Sequence, residues 1–72
     1  MREKRERVRV LLLTYHLTYA WLIFELEKRG VKVTSTELCD ICHGRRTSEK
    51  AVNVIDTSME ILERYGTCYA GN

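Results

Sequence analysis

The chain has 72 residues, with 12 Lys and Arg against 10 Asp and Glu, for a net charge of +2. That length excludes more than one domain and holds one small core, which rarely supplies more than about 3–5 kcal/mol unaided. The charge excludes a uniformly basic coat for a polyanion, so any nucleic-acid contact must come from focused clusters.

Proline, glutamine, repeats and low-complexity tracts are absent, as in a helix-rich globular domain. Many charges and few amides lean toward a thermophilic source. Residues 1–9 carry Arg2, Lys4, Arg5, Arg7 and Arg9 against Glu3 and Glu6, a basic N-terminal arm or first turn. Two further basic points are Lys28-Arg29-Lys32 and Arg45-Arg46-Lys50.

Val10 to Phe24 holds no charge. Fifteen helical residues span about 22 Å, short of the roughly 30 Å hydrocarbon core of a membrane. Thr14, His16 and Thr18 interrupt the run and no small-residue cleavage site follows it, so a cytoplasmic protein without membrane contact is expected. The periodicity predicts a first helix over 6–29, ending at Gly30. On it Thr14, Thr18, Glu25 and Arg29 form one narrow polar stripe, and roughly three-quarters of the circumference is apolar. Two short helices of the same chain cover only part of such a surface. A homodimer through this helix is therefore expected, with Leu12, Tyr15, His16, Tyr19, Trp21 and Ile23 at the contact.

Val31-Lys32-Val33 alternates and is β-branched, which predicts a short strand. Thr34-Ser35-Thr36-Glu37 has the form of a capping box, in which a hydroxyl and a carboxylate satisfy each other's backbone N–H groups. It opens a second helix over 35–43, followed by Gly44 and Arg45-Arg46. Thr47 is a cap candidate for a third helix over 48–65. Ala51, Val52, Val54, Ile55, Met59, Ile61, Leu62 and Tyr65 form its apolar face, with Asn53, Thr57, Glu60 and Arg64 opposite. Gly30, Gly44 and Gly66 each stand where a helix C-cap wants a positive φ. Thr67 to Ala70 is expected to return as a strand beside Val31 to Val33.

Helix, short strand, helix, turn, helix, short strand resembles the winged-helix branch of the helix-turn-helix superfamily. The segment T-S-T-E-L-C-D-I-C-H-G-R-R-T-S-E-K, residues 34–50, looks like the first motif helix, the turn and the start of the recognition helix. It departs from the tight motif in placing Arg45 after the turn glycine and in bringing core residues, Ala51 and Val52, late. Six residues after Gly66 leave a wing of one strand at most. The resemblance implies a mostly α, three-helix domain with a minimal two-stranded β element at about 31–33 and 67–70.

It also implies double-stranded DNA as partner. Thr47, Ser48, Lys50, Asn53 and Thr57 would then face the major groove, Asn53 pairing with adenine and Lys50 reaching guanine or phosphate. Arg45 and Arg46 in the turn would hold phosphates. Glu49, Asp56, Glu60 and Glu63 form a neighbouring acidic stripe, so only the Lys50 side suits DNA. The expected role is a small dimeric transcriptional regulator reading half-sites about one turn (~34 Å) apart. The rival expectation is a winged-helix module that docks on another protein.

Cys39-Asp40-Ile41-Cys42-His43 matches the C-x-x-C-H string of c-type haem attachment, but without an export signal. Zinc would need Cys39, Cys42, Cys68 and His43 or His16, yet no second close ligand pair exists, and Cys42 and His43 diverge by about 100° on a helix. No cofactor or metal is therefore expected, and a disulfide from Cys68 to Cys39 or Cys42 stays open. No nucleophile sits with a base and an orienting acid, and no glycine-rich phosphate loop occurs. Neither catalysis nor a small-molecule substrate is expected.

Overall fold

The long apolar segment is cut in two at His16. The structure, a computed structural model, describes residues 2–70 and the side chains of residues 2–66. Its helices are α1 (Arg2–Thr14), α2 (Tyr19–Lys28), α3 (Ser35–Cys42) and α4 (Glu49–Ala70). The single helix expected over 6–29 is thus two helices, and the cause is local. His16 takes a left-handed conformation, φ 57°. His16 N–H then donates to the Leu13 carbonyl at 3.1 Å, and Leu17 N–H to the Leu12 carbonyl at 2.8 Å. That is the Schellman arrangement that closes helix ends, normally built on glycine. Two residues later the Thr18 hydroxyl accepts from Trp21 N–H at 3.1 Å and opens α2.

The same closing arrangement recurs twice. Gly30, φ 82°, ends α2, with Val31 N–H on the Leu26 carbonyl at 2.9 Å. Gly44, φ 79°, ends α3, with Arg45 N–H on the Asp40 carbonyl at 2.8 Å. The capping box at Thr34 and Glu37 is formed as its spacing predicted, through hydrogen bonds of 3.1 and 3.3 Å.

Side-chain pairs define how the helices cross. Lys4 Nζ meets Asp56 Oδ1 at 2.9 Å, and eleven positions on, the Tyr15 ring meets Tyr65 at 5.1 Å between centroids. α1 and α4 therefore run parallel. Trp21 meets Tyr65 edge-on at 5.5 Å, and Arg29 meets Glu60 at 3.6 Å, so α2 runs back along α4. Val8, Leu12, Leu22, Leu26, Leu38, Ile41, Val54, Ile55 and Leu62 fill the space between. Breaking the long helix lets both of its halves face this one core. Leu11, Leu17, Tyr19, Trp21 and Ile23 pack against the core as well, which consumes within the chain much of the apolar surplus that pointed to a second copy.

The β element is absent among the described residues. Residues 31–34 are an extended connection with Val33 buried, and 67–70 continue α4. Gly66 is inside a helix and not past its end. A Cβ there would run into the Tyr15 hydroxyl, with Tyr15 Cζ at 3.1 Å, so the missing side chain leaves room for the Tyr15 ring beside α4. Two positions on α4 also differ from the periodic reading. Val52 lies at the edge of the apolar face and is 41% exposed, while Ser58 lies at its centre, fully buried, with no hydrogen-bond partner for its hydroxyl among the described residues.

Candidate nucleic-acid interface

The turn between α3 and α4 is built by its own backbone and then loaded with charge. Asp40 sits on the last turn of α3 and meets Arg45 Nη1 at 3.4 Å and Arg46 Nε at 3.5 Å. Both guanidinium groups stay open to solvent, at 72% and 51% exposure. Ion pairs of this kind contribute about 0–1 kcal/mol and exchange readily for another anion.

A third arginine reaches the same place from the other end of the sequence. A Cβ on Gly44 would sit 3.1 Å from both Cζ and Nη2 of Arg5, so the Arg5 guanidinium lies directly on this glycine. Arg9, one turn further along α1, contributes positive charge at Tyr19 and Cys42 and shares a groove with Tyr19 and His43. The basic N-terminal segment is therefore the first part of α1, and its Arg5–Arg9 edge borders the α3–α4 turn. Along the sequence the two clusters lie about forty positions apart. The i, i+4 spacing of Arg5 and Arg9, parallel to that of Val8 and Leu12, was the signal available.

The other proposed DNA residues divide by task. Ser48, not Thr47, opens α4: its carbonyl accepts from Val52 N–H at 3.1 Å and its hydroxyl from Ala51 N–H at 3.4 Å, which turns the hydroxyl onto its own helix. Thr47, Lys50 and Asn53 are exposed and Thr57 is half-buried. Lys50 Nζ reaches across to Glu37 Oε2 at 3.1 Å. That hydrogen bond first, and the Thr34 backbone N–H second, hold the Glu37 carboxyl below the ordinary range. The acidic stripe of Glu49, Asp56, Glu60 and Glu63 is exposed beside them, and Asp56 is engaged by Lys4.

The six residues expected at a dimer contact are differently placed within the chain. Leu12 is buried in the chain's own core, Tyr15 and Trp21 pack on Tyr65, Ile23 packs against the core, and Tyr19 faces Cys42. His16 is exposed but serves as the helix stop. Among the described residues the exposed large apolar side chains are Val10, Leu13, Phe24 and Val52.

Cys39 and Cys42 are free thiols, and the Cys68 side chain, with its expected disulfide, lies outside the described residues. Among the described residues no group of three or more His, Cys, Asp or Glu side chains is arranged to hold a metal ion. No helix there is long and apolar enough to cross a membrane. No family model, curated protein or solved structure matches the chain.

Proposed function

We propose that this chain binds double-stranded DNA, using α3 and α4 as the two helices of a helix-turn-helix motif, in the role of a small transcriptional regulator. The observation that carries the reading is the seating of Arg5 on Gly44, beside Arg45 and Arg46. Arginines from two distant segments gather at one exposed turn, where Asp40 is, among the described residues, the acidic side chain paired with Arg45 and Arg46. Guanidinium groups grip phosphate in a bidentate manner, and a cluster of them at the entry to a helix holds that helix against a backbone. Lys50, Asn53 and Thr47 then extend along the exposed side of α4 toward base edges.

A regulator that reads a two-fold site needs two copies. Val10 and Leu13, three positions apart on the outer side of α1 and 57% and 76% exposed, are the apolar residues best placed for a second chain.

Fluorescence-anisotropy titration of duplex DNA across a series of salt concentrations tests the reading. Binding should weaken steeply with salt, and each of Arg5→Ala, Arg45→Ala and Arg46→Ala should reduce the salt slope by about one unit. A folded protein that fails to bind duplex DNA at low salt overturns it.

A further inference from the structure

The DNA reading leaves the Cys39-x-x-Cys42-His43 string unused, and its surroundings are built for a different chemistry. Cys39 is half-buried, whereas Cys42, three residues on, is 1% exposed. The His43 ring folds back over the end of α3, placing Nδ1 2.8 Å from the Cys39 carbonyl oxygen and 3.6 Å from its Sγ. A nitrogen that close to a carbonyl oxygen donates its proton there, and the Cys39 sulfur is a second, longer acceptor of the same N–H. On the other side the Tyr19 hydroxyl lies within hydrogen-bonding range of the Cys42 thiol, and Arg9 adds positive charge there. A groove of about 370 Å³ is lined by Tyr19 and His43, the two residues that flank the cysteines, together with Leu12, Leu13 and Leu17 and the polar residues Arg9 and Thr18.

We infer that Cys39 and Cys42 form a thiol–disulfide exchange site for small anionic disulfides of the glutathione type. The Cys39 thiolate attacks one sulfur of the disulfide. A bond forms from Cys39 Sγ to that sulfur, and the other half leaves as a thiolate that takes up the proton Cys39 gave up. Cys42, deprotonated in turn, attacks Cys39 Sγ and expels the second half in the same way. The protein loses two protons and two electrons, and the disulfide becomes two thiols.

The order follows from the surroundings. Burial pushes the Cys42 thiol up, so it stays protonated while the more accessible Cys39, with the His43 N–H beside it, reacts first. Arg9 suits the carboxylates of an incoming peptide disulfide, and the leucines suit its methylenes. Cβ atoms three apart on a helix lie about 5–6 Å from each other, whereas a disulfide brings them to about 3.5–4.5 Å. The last turn of α3 must therefore shift, and the strained bond is readily reduced again. The site is a reversible exchanger and not a structural staple, and it stands independently of DNA binding.

The test uses the full chain carrying Cys68→Ser, which leaves two thiols. Treated with oxidised glutathione, this protein should lose the mass of two hydrogens, and excess reduced glutathione should restore it. With Cys42→Ser added, one glutathione should be retained on Cys39. Cys42→Ala is the second variant, keeping the small apolar volume in case the hydroxyl perturbs folding. His43→Ala should slow adduct formation by about tenfold with an unchanged far-UV circular dichroism spectrum. The cationic disulfide cystamine should react more slowly than oxidised glutathione once each is normalised to free cysteine. Adduct formation at the rate of an unstructured thiol, indifference to His43→Ala, or a stable glutathione adduct in the two-thiol protein with no internal disulfide would each overturn the assignment.

Discussion

Arg45 returns to Asp40 twice. Its backbone N–H donates to the Asp40 carbonyl at 2.8 Å, and its guanidinium meets the Asp40 carboxylate at 3.4 Å. These are the two positions of a Schellman cap that usually share an apolar contact. Here an ion pair takes its place, with Arg46 added to the same carboxylate. The turn is thus closed by main-chain bonds that do not depend on the charges, and the charges stay free to exchange partners. Asp40→Asn removes the carboxylate that competes with phosphate and keeps the carbonyl that caps the helix. Duplex DNA should bind about three- to tenfold more tightly to this variant at low salt, an advantage that shrinks as salt rises. Anisotropy titrations of both proteins check this, and weaker binding by the variant would count against the arginines as phosphate ligands.

Gly66 is the position where a routine stabilising substitution should fail. Replacing a mid-helix glycine by alanine ordinarily gains about 1 kcal/mol. Here the new methyl meets the Tyr15 hydroxyl and ring, and such overpacking costs about 1–3 kcal/mol. Gly66→Ala should lower the urea midpoint in the wild-type background, and the loss should shrink in Tyr15→Phe, where the nearest atom is gone. A more stable Gly66→Ala protein would mean that α1 and α4 do not meet there.

His16 stands at a left-handed position that costs roughly 1–2 kcal/mol for a residue with a Cβ. His16→Gly should raise stability by about 1 kcal/mol after allowing for the more flexible unfolded chain, while the helical content by circular dichroism stays the same. Thermal melts of the two proteins at neutral pH decide it. A fall in stability would argue that α1 and α2 are continuous.

The Ser58 hydroxyl is fully buried without a partner among the core residues. Removing such a group recovers its desolvation penalty, about 1–3 kcal/mol, at the expense of a very small void. Ser58→Ala should therefore be neutral to stabilising in urea denaturation, which is unusual for a core position.

Glu37 is held below the ordinary carboxylate range by Lys50 first and by the Thr34 backbone N–H second. A depressed native value means that its contribution is complete above the unfolded-state value and is lost as pH falls through the native one. Lys50→Met takes away the larger cause and leaves the capping box. The melting temperature of this variant should fall less steeply between pH 5 and the acid limit than that of the wild type, a comparison made by melts across that range.

Much of the local structure was legible before any coordinates. The Thr34–Glu37 box, the extent of α3, the glycine caps at 30 and 44 and most of the α4 apolar face follow from interactions within about five residues, and such interactions are written in consecutive letters. The exposed row of Lys50 and Asn53 beside an acidic stripe was legible for the same reason. The break at residue 16 is local as well, yet it was hidden, because histidine occupies a place where glycine is the recognisable sign and Thr18 was read as surface when it is a cap.

Other features depend on what lies across the fold. Gly66 reads as a helix end until Tyr15, fifty-one positions earlier, is known to lie against it, and residues 67–70 then continue the helix instead of turning back as a strand. Leu12, Tyr15 and Trp21 read as one continuous apolar face until the break divides them, with Leu12 in the core and Tyr15 and Trp21 against Tyr65. Arg5 belongs to a tail by sequence and to the α3–α4 turn by contact, because parallel packing of the first and last helices brings their N-terminal halves together. The sequence by itself determined the middle of most helical segments and three of their caps, at Gly30, Thr34 and Gly44, since backbone hydrogen bonds and capping side chains act over a few residues. Only the tertiary structure decided which faces are buried and which charges converge, since a side chain's environment is set by partners whose distance along the chain carries no local mark.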